Sequence, residues 1–306
     1  MLLKNQQNFE GGFDSLIFVD FDLNENYTPE LIFYGLNNKK ESRLLLEKGT
    51  DLDWYVQPEH FCIGYHTKDE YHSYIPCPQG RKLEKGFQCD SCKNRDLLIP
   101  CMLCKGDKCI NIDSVKEMCD KTPTSVYLVA FGDEIKVGVS KKNRLMKRWI
   151  EQGAELATEV GLFPNGLIAR EVEEAISYYF LISKGIRIKT KFSRVVTENQ
   201  NIMDEDHFRI TIDKVSTWLS DKYGNEFVGS CEINDLNSYY YVVSSQKIDT
   251  KGNVALKGKF VGNKGPIFII DKFKQNFYFD VRTLRGRRIG NKPSAGSQGL
   301  LTDYFG

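Results

Sequence analysis

The sequence predicts an α+β protein, on three observations. Strand-like apolar runs occupy both ends of the chain, helical apolar spacing fills its middle, and a polar, cysteine-rich stretch separates the first strands from the helices. The 306 residues suffice for two or three compact units, and 41% apolar content allows each to bury a core. A net charge of +1 excludes a global basic field, so any nucleic-acid surface must come from local clustering. No apolar run reaches membrane-spanning length, and Met1-Leu2-Leu3-Lys4-Asn5 is no signal peptide. A cytoplasmic, nucleoid-associated protein with no membrane partner is expected.

Taken in chain order, Leu16-Ile17-Phe18-Val19-Asp20-Phe21 and Glu30-Leu31-Ile32-Phe33-Tyr34-Gly35 read as strands of a β-rich segment, 1–60. Residues 61–120 are turn-rich and carry most of the cysteines. In 121–228, Val126–Phe131 and Ile135–Val139 read as a hairpin about Gly132-Asp133-Glu134. A helix follows from about Asn143 to Gln152, stopped by Gly153. A second starts at the good cap Asn165 and presents Ile168, Val172, Ala175, Ile176, Tyr179 and Ile182 at helical spacing. A third spans about 206–222. Residues 229–289 return to strand patterns, clearest at Tyr239–Val243 and Ile267–Ile270, and are expected to pack on 1–60. Residues 290–306 read as a flexible tail.

Eight of the nine cysteines fall between Cys62 and Cys119, which is metal-like clustering in a reducing compartment. Cys89-Asp90-Ser91-Cys92 and Cys101-Met102-Leu103-Cys104 are two C-x-x-C pairs, and two such knuckles can complete a tetrahedron around structural zinc. Their short separation leaves the pairing open. Cys62, Cys77 and Cys109 are alternative or additional ligands, as are His66 and His72, and a second site is allowed. Cys119 reads as a small buried hydrophobe. Four-cysteine spacing alone does not separate zinc from an iron–sulfur cluster, but an all-thiolate set leaves no position open for catalysis.

Val126-Tyr127 followed by Lys136-Val137-Gly138 resembles a degenerate form of the paired signature of GIY-YIG nucleases. That resemblance implies a hairpin bearing both motifs, an arginine on the first helix, and a glutamate on a later helix that holds one divalent metal. The matching positions are Tyr127 for activating water, Arg148 or Arg144 for the phosphate, and Glu173 for magnesium, with Lys136 standing where the second signature tyrosine would be. Glu173 lies about 100° from the centre of the apolar stripe, at its edge. More broadly, the chain resembles an uncharacterised prokaryotic cysteine-rich family of unknown function. Pro76-Cys77-Pro78, the C-x-x-C pairs, Val126-Tyr127-Leu128, Lys136-Val137-Gly138-Val139, Arg148–Ala154 and Phe260–Gly265 carry that likeness.

At the other end of the chain, Gln298, Leu301, Tyr304 and Phe305 stand at the spacing of the clamp-binding peptide, or PIP box, of proteins that dock on PCNA-type sliding clamps. A 3₁₀ turn would put the three apolar side chains on one side as a hydrophobic plug. Just upstream, Arg285, Arg287 and Arg288 lie in the densest basic stretch, where they would meet phosphates of DNA or RNA. The expected protein is thus a GIY-YIG-like core with a zinc-knuckle insert and a split β-rich unit from the N- and C-terminal segments. Its expected role is a sliding-clamp-associated DNA repair or replication factor, as a magnesium-dependent structure-selective nuclease or as a non-catalytic DNA- or RNA-binding protein.

Overall fold

A computed structural model describes residues 16–67, 74–107, 109–188, 190–191 and 203–290. The chain divides into two compact units, one within Met1–Asp96, Ser245–Gly262 and Ile267–Gly306, the other Leu97–Ser244 with Asn263–Pro266. The division falls inside the cysteine-rich stretch, between Asp96 and Leu97.

The first unit is organised by a ten-stranded sheet. Its main strands are β1 (Leu16–Leu23), β2 (Pro29–Gly35), β3 (Glu41–Leu45) and β4 (Asp51–Phe61) from the N-terminal part. The strands that follow in the chain, β5 (Thr124–Phe131), β6 (Glu134–Lys141) and β7 (Leu156–Phe163), belong instead to the separate four-stranded sheet of the second unit. The C-terminal part supplies β8 (Val254–Lys264), β9 (Ile267–Lys272), β10 (Gln275–Asp280) and β11 (Arg287–Gly290). In the large sheet the order runs β10-β9-β8-β4-β11-β1-β2-β3, with Gln246–Lys247 outside β10 and Lys82–Leu83 beside β4. Strands from the two ends of the sequence therefore alternate: β11 sits between β1, where Leu16 faces Ile289, and β4, where Val56 faces Ile289. Every residue of β1 is buried, Asp20 and Asp22 included.

The second unit is α+β. Its antiparallel sheet has the order Asn234–Asp235, β7, β5, β6. β5 and β6 form a hairpin with Phe131 opposite Glu134, and Gly132 takes φ +61° at the first central position, a conformation glycine adopts without strain. Helix α4 (Leu145–Gln152) follows and ends where Gly153 turns left-handed at φ +76°. Helix α5 (Gly166–Phe180) is capped by the Asn165 side chain, which accepts from Ile168 N–H. Helix α6 (Glu205–Tyr223) completes the core. Val126, Leu128 and Ala130 of β5 meet Val172 and Ile176 of α5 and Phe208 and Ile212 of α6 in one apolar cluster. The intervening residues Tyr127, Val129 and Phe131 point to the opposite face of the strand, by the two-residue period.

Tyr239–Val243, expected as a strand, is not one. Asn237–Tyr239 is a 3₁₀ turn, and Tyr240–Val243 belongs to no regular element. Asp235 decides the matter locally: its carboxylate accepts from the Asn237 backbone N–H at 2.9 Å, which starts a turn before the aromatics can extend. No helix among the described residues is long and apolar enough to cross a membrane. Gln298, Leu301, Tyr304 and Phe305 lie outside the described residues, as does His72.

Candidate functional site

Four thiols converge in the first unit. The sulfurs of Cys62, Cys77, Cys89 and Cys92 all lie within 4.8 Å of one another, and all four residues are buried. Cys62 follows β4, Cys77 lies in a turn, and Cys89 and Cys92 bracket the start of helix α1 (Asp90–Arg95). Two glycines make the approach possible. Gly64 holds φ +98°, and a Cβ there would come 1.8 Å from the Ile75 carbonyl oxygen. Gly80, at φ +55°, closes the Cys77-Pro78-Gln79-Gly80 turn with its N–H on the Cys77 carbonyl at 3.1 Å.

Sulfurs bonded to one zinc at about 2.3 Å stand roughly 3.8 Å apart in a tetrahedron, so this set fits a thiophilic ion. Backbone donors already point at the sulfurs, Cys89 N–H reaching Cys62 Sγ at 3.2 Å. Burial pushes the Cys62 thiol up to about 11. Burial also acts to raise Cys77, but the N–H groups of Arg81 and Gln79 and the thiols of Cys62 and Cys92 outweigh it and bring Cys77 down to about 7. Cys92 is raised by burial and by its neighbours Cys62 and Cys89. A bound divalent ion would hold all four as thiolates. Around them, Asp96 accepts from His66 Nδ1 at 2.8 Å and from Gln88 Nε2 at 2.6 Å, and Gln88 also donates to the Gly64 carbonyl at 2.9 Å. His66 thus serves Asp96 and braces the loops that carry the sulfurs.

Of the pairings left open, Cys89 and Cys92 join the alternatives Cys62 and Cys77 rather than Cys101 and Cys104. Cys101, Cys104 and Cys109 lie in the second unit instead. The overlooked signal was a cysteine followed closely by a turn glycine, at Cys62-Ile63-Gly64 and Cys77-Pro78-Gln79-Gly80.

A second polar constellation lies on the hairpin and α4. Gln152 Nε2 donates to the Tyr127 hydroxyl at 2.9 Å, and Gln152 Oε1 accepts from Lys136 Nζ. Tyr127 is only 1% exposed and packs edge-on against Trp149. Gly138 faces it across the hairpin, and a Cβ there would come 2.5 Å from the phenol oxygen. Burial alone would raise the Tyr127 pKa. The charges of Lys136 and Arg148 and the hydrogen bonds of Gln152 and Arg148 outweigh it, and the net shift is downward.

On α5, burial raises the Glu173 carboxyl pKa, with Arg170, Lys136 and Lys184 opposing. Arg170 approaches Glu173 at 3.9 Å. Lys136 therefore acts on both the phenol and the carboxylate. Tyr127, Lys136 and Arg148 are brought together, Glu173 is in electrostatic reach of Lys136, and Gln152, given no role from sequence, ties Tyr127 to Lys136. Gln152 sits in the Arg148–Ala154 string that carried the broader resemblance.

The arginines expected at a nucleic-acid surface are engaged within the protein. Arg144 pairs with Glu151 at 2.7 Å. Arg285 pairs with Asp20, and Arg288 donates to Gln57 and approaches Glu59 at 3.3 Å. Arg287 is 2% exposed, and its guanidinium donates to the backbone carbonyls of Gln57, Val56, Thr250 and Gly252. Burial lowers its pKa to about 10. Arg287 is thus a strand brace buried away from phosphate, because β11 is an inner strand of the large sheet.

A family described as "Protein of unknown function (DUF2797)" matches residues 49–289. No curated protein and no solved structure matches the chain.

Proposed function

We propose that this chain, which belongs to the DUF2797 family, is a nucleic-acid-processing factor whose Leu97–Ser244 unit is a GIY-YIG-type nuclease core. Zinc braces the cysteine site of the first unit, and the peptide from Gln298 to Phe305 tethers the protein to a PCNA-type sliding clamp. One observation carries the reading: Tyr127, Lys136 and Arg148 meet around Gln152, with Lys136 also acting on Glu173. The chain order of hairpin, helix, strand and helix supports it.

In this reading Tyr127, ionised to the phenolate that its lowered pKa favours, takes a proton from the attacking water. Lys136 and Arg148 meet the charge that develops on the phosphate. Glu173 is the carboxylate that would hold one magnesium ion, and such an ion would supply positive charge to the phosphate.

Burial of Tyr127 favours a second reading, a zinc-containing protein of the same fold that binds DNA or RNA at the clamp without cutting it. The full chain with flapped or branched DNA and magnesium separates the two. Cleavage that Glu173→Ala abolishes, with binding retained, supports the nuclease. Cleavage by that variant at the normal rate removes Glu173 from the assignment. Retained affinity with no cleavage under any divalent ion selects the second reading.

A further inference from the structure

Beyond the first thiol cluster, the second unit gathers four more cysteines around one cavity. Cys101 and Cys104 come from helix α2 (Leu98–Leu103) and the residue after it, and Cys109 from the following loop. Cys119 comes from the last turn of helix α3 (Asp113–Asp120). The cavity is about 30 Å³, too small for an organic ligand and ample for an ion.

We infer that Cys101, Cys104, Cys109 and Cys119 form a second structural zinc site, separate from the first and internal to the second unit.

Three contacts show the surroundings shaped for anionic sulfur. Asn111 Nδ2 donates to Cys101 Sγ at 3.1 Å. Gly166, at the start of α5, lies against Cys119, and a Cβ on Gly166 would come 2.8 Å from that sulfur. Arg170, one turn further along α5, lines the cavity and donates to the Cys104 carbonyl at 3.5 Å. Zinc with four thiolates carries two net negative charges; Arg170 and Lys116 on the cavity wall oppose them, and Asp120 on the same wall adds to them. The loop between Cys104 and Cys109 is itself pressed against α5: a Cβ on Gly106, at φ +92°, would come 2.3 Å from the Glu171 backbone nitrogen.

The four sulfurs line the cavity without meeting as closely as those of the first site, so binding draws them onto the ion and releases their protons to solvent. The ion then joins α2, the following loop and α3 beside the first two turns of α5, the helix that carries Glu173. Cys119, read from sequence as a small hydrophobe, becomes the fourth ligand.

The test is zinc counting by mass spectrometry on the purified full chain. Two zinc ions per chain are expected. Cys101→Ser with Cys104→Ser, and separately Cys119→Ser, should each halve the count, as should Cys89→Ser with Cys92→Ser through the first site. A single zinc lost only in the Cys89/Cys92 variant would overturn the inference and leave the first site standing. Iron with acid-labile sulfide in place of the second zinc would also overturn it. Should the variants not fold, cobalt-substituted wild type decides. Thiolate-to-cobalt absorbance twice that of one tetrathiolate site is expected, and the intensity of a single site refutes the assignment.

Discussion

Gln152 holds the hydroxyl of Tyr127 with its amide nitrogen at 2.9 Å while its amide oxygen takes the Lys136 ammonium, so one side chain at the end of α4 fixes both hairpin residues. The arrangement places a cation near a phenol that is only 1% exposed. Because the folded phenol holds its proton less tightly than an ordinary one, its ionisation contributes stability in a defined window. Stability rises with pH from the folded pKa up to the ordinary tyrosine value of about 10, and is lost as pH falls through the folded pKa. Tyr127→Phe should remove this slope, and near-ultraviolet titration should lose its earliest phenolate step. Tyr34, Tyr74 and Tyr240 are shifted the other way by burial and do not compete for that step. Gln152→Ala should move the Tyr127 step upward. An unchanged step in either variant would show that another group produces it.

The first cysteine cluster predicts a metal-dependent fold of its surroundings. Binding energies of structural zinc are on the order of 10 kcal/mol and count as folding energy, comparable to the whole stability of a domain. Cys62→Ser should therefore lose that zinc and collapse protection of the loops between Phe61 and Asp96. Hydrogen exchange on the purified variant measures this. Full protection with the zinc gone would mean that the thiols pack without need of an ion.

The two cysteine sites mark where sequence could and could not be read. That cysteines within Cys62–Cys119 gather as a group able to hold a metal ion follows from residue chemistry alone. Which ones share an ion does not, because ligand grouping depends on where the chain passes between units, and that break falls between Asp96 and Leu97. The central helices were legible in part, since Asn165 supplies a cap and Gly153 a stop. The second helix, expected to run to about Ser183 with Gly185 as its stop, ends instead at Phe180, where Leu181 turns left-handed and leaves Ile182 outside it. Arg287 was misread because charge suggests a surface. β11 pairs with both β1 and β4, a long-range placement that no local pattern of four residues reports. Gln152 was missed because its value lies in two partners distant in sequence.

Arg287 leads to a stability prediction. Its guanidinium meets backbone carbonyls from residues 56, 57, 250 and 252, and so joins β4 to the segment before β8. Arg287→Ala leaves those buried acceptors unsatisfied and opens a cavity, at a cost of about 3 kcal/mol or more. Arg287→Lys should recover little, because a single ammonium cannot span four acceptors. Chemical denaturation of the two variants measures this. A loss below about 1 kcal/mol in Arg287→Ala would show that water satisfies the carbonyls equally well.

Gly138 gives the sharpest probe of the hairpin site. It stands opposite Tyr127 in register, and the space a Cβ would need is occupied by the phenol, with Cζ and the hydroxyl oxygen both 2.5 Å away. Its backbone is not left-handed, so alanine brings no conformational strain and the effect is steric alone. Gly138→Ala should push the ring from its seat, break its bond with Gln152 and cost about 1–3 kcal/mol. The Tyr127 phenolate step should then rise toward the ordinary value, since both Lys136 and Gln152 lose their hold on it. Pairing Gly138→Ala with Tyr127→Ala tests the cause: the smaller residue makes room for the methyl, so the double variant should be less destabilised than the sum of the two single changes. Simple additivity would mean that the glycine is required for some other reason than the phenol it faces.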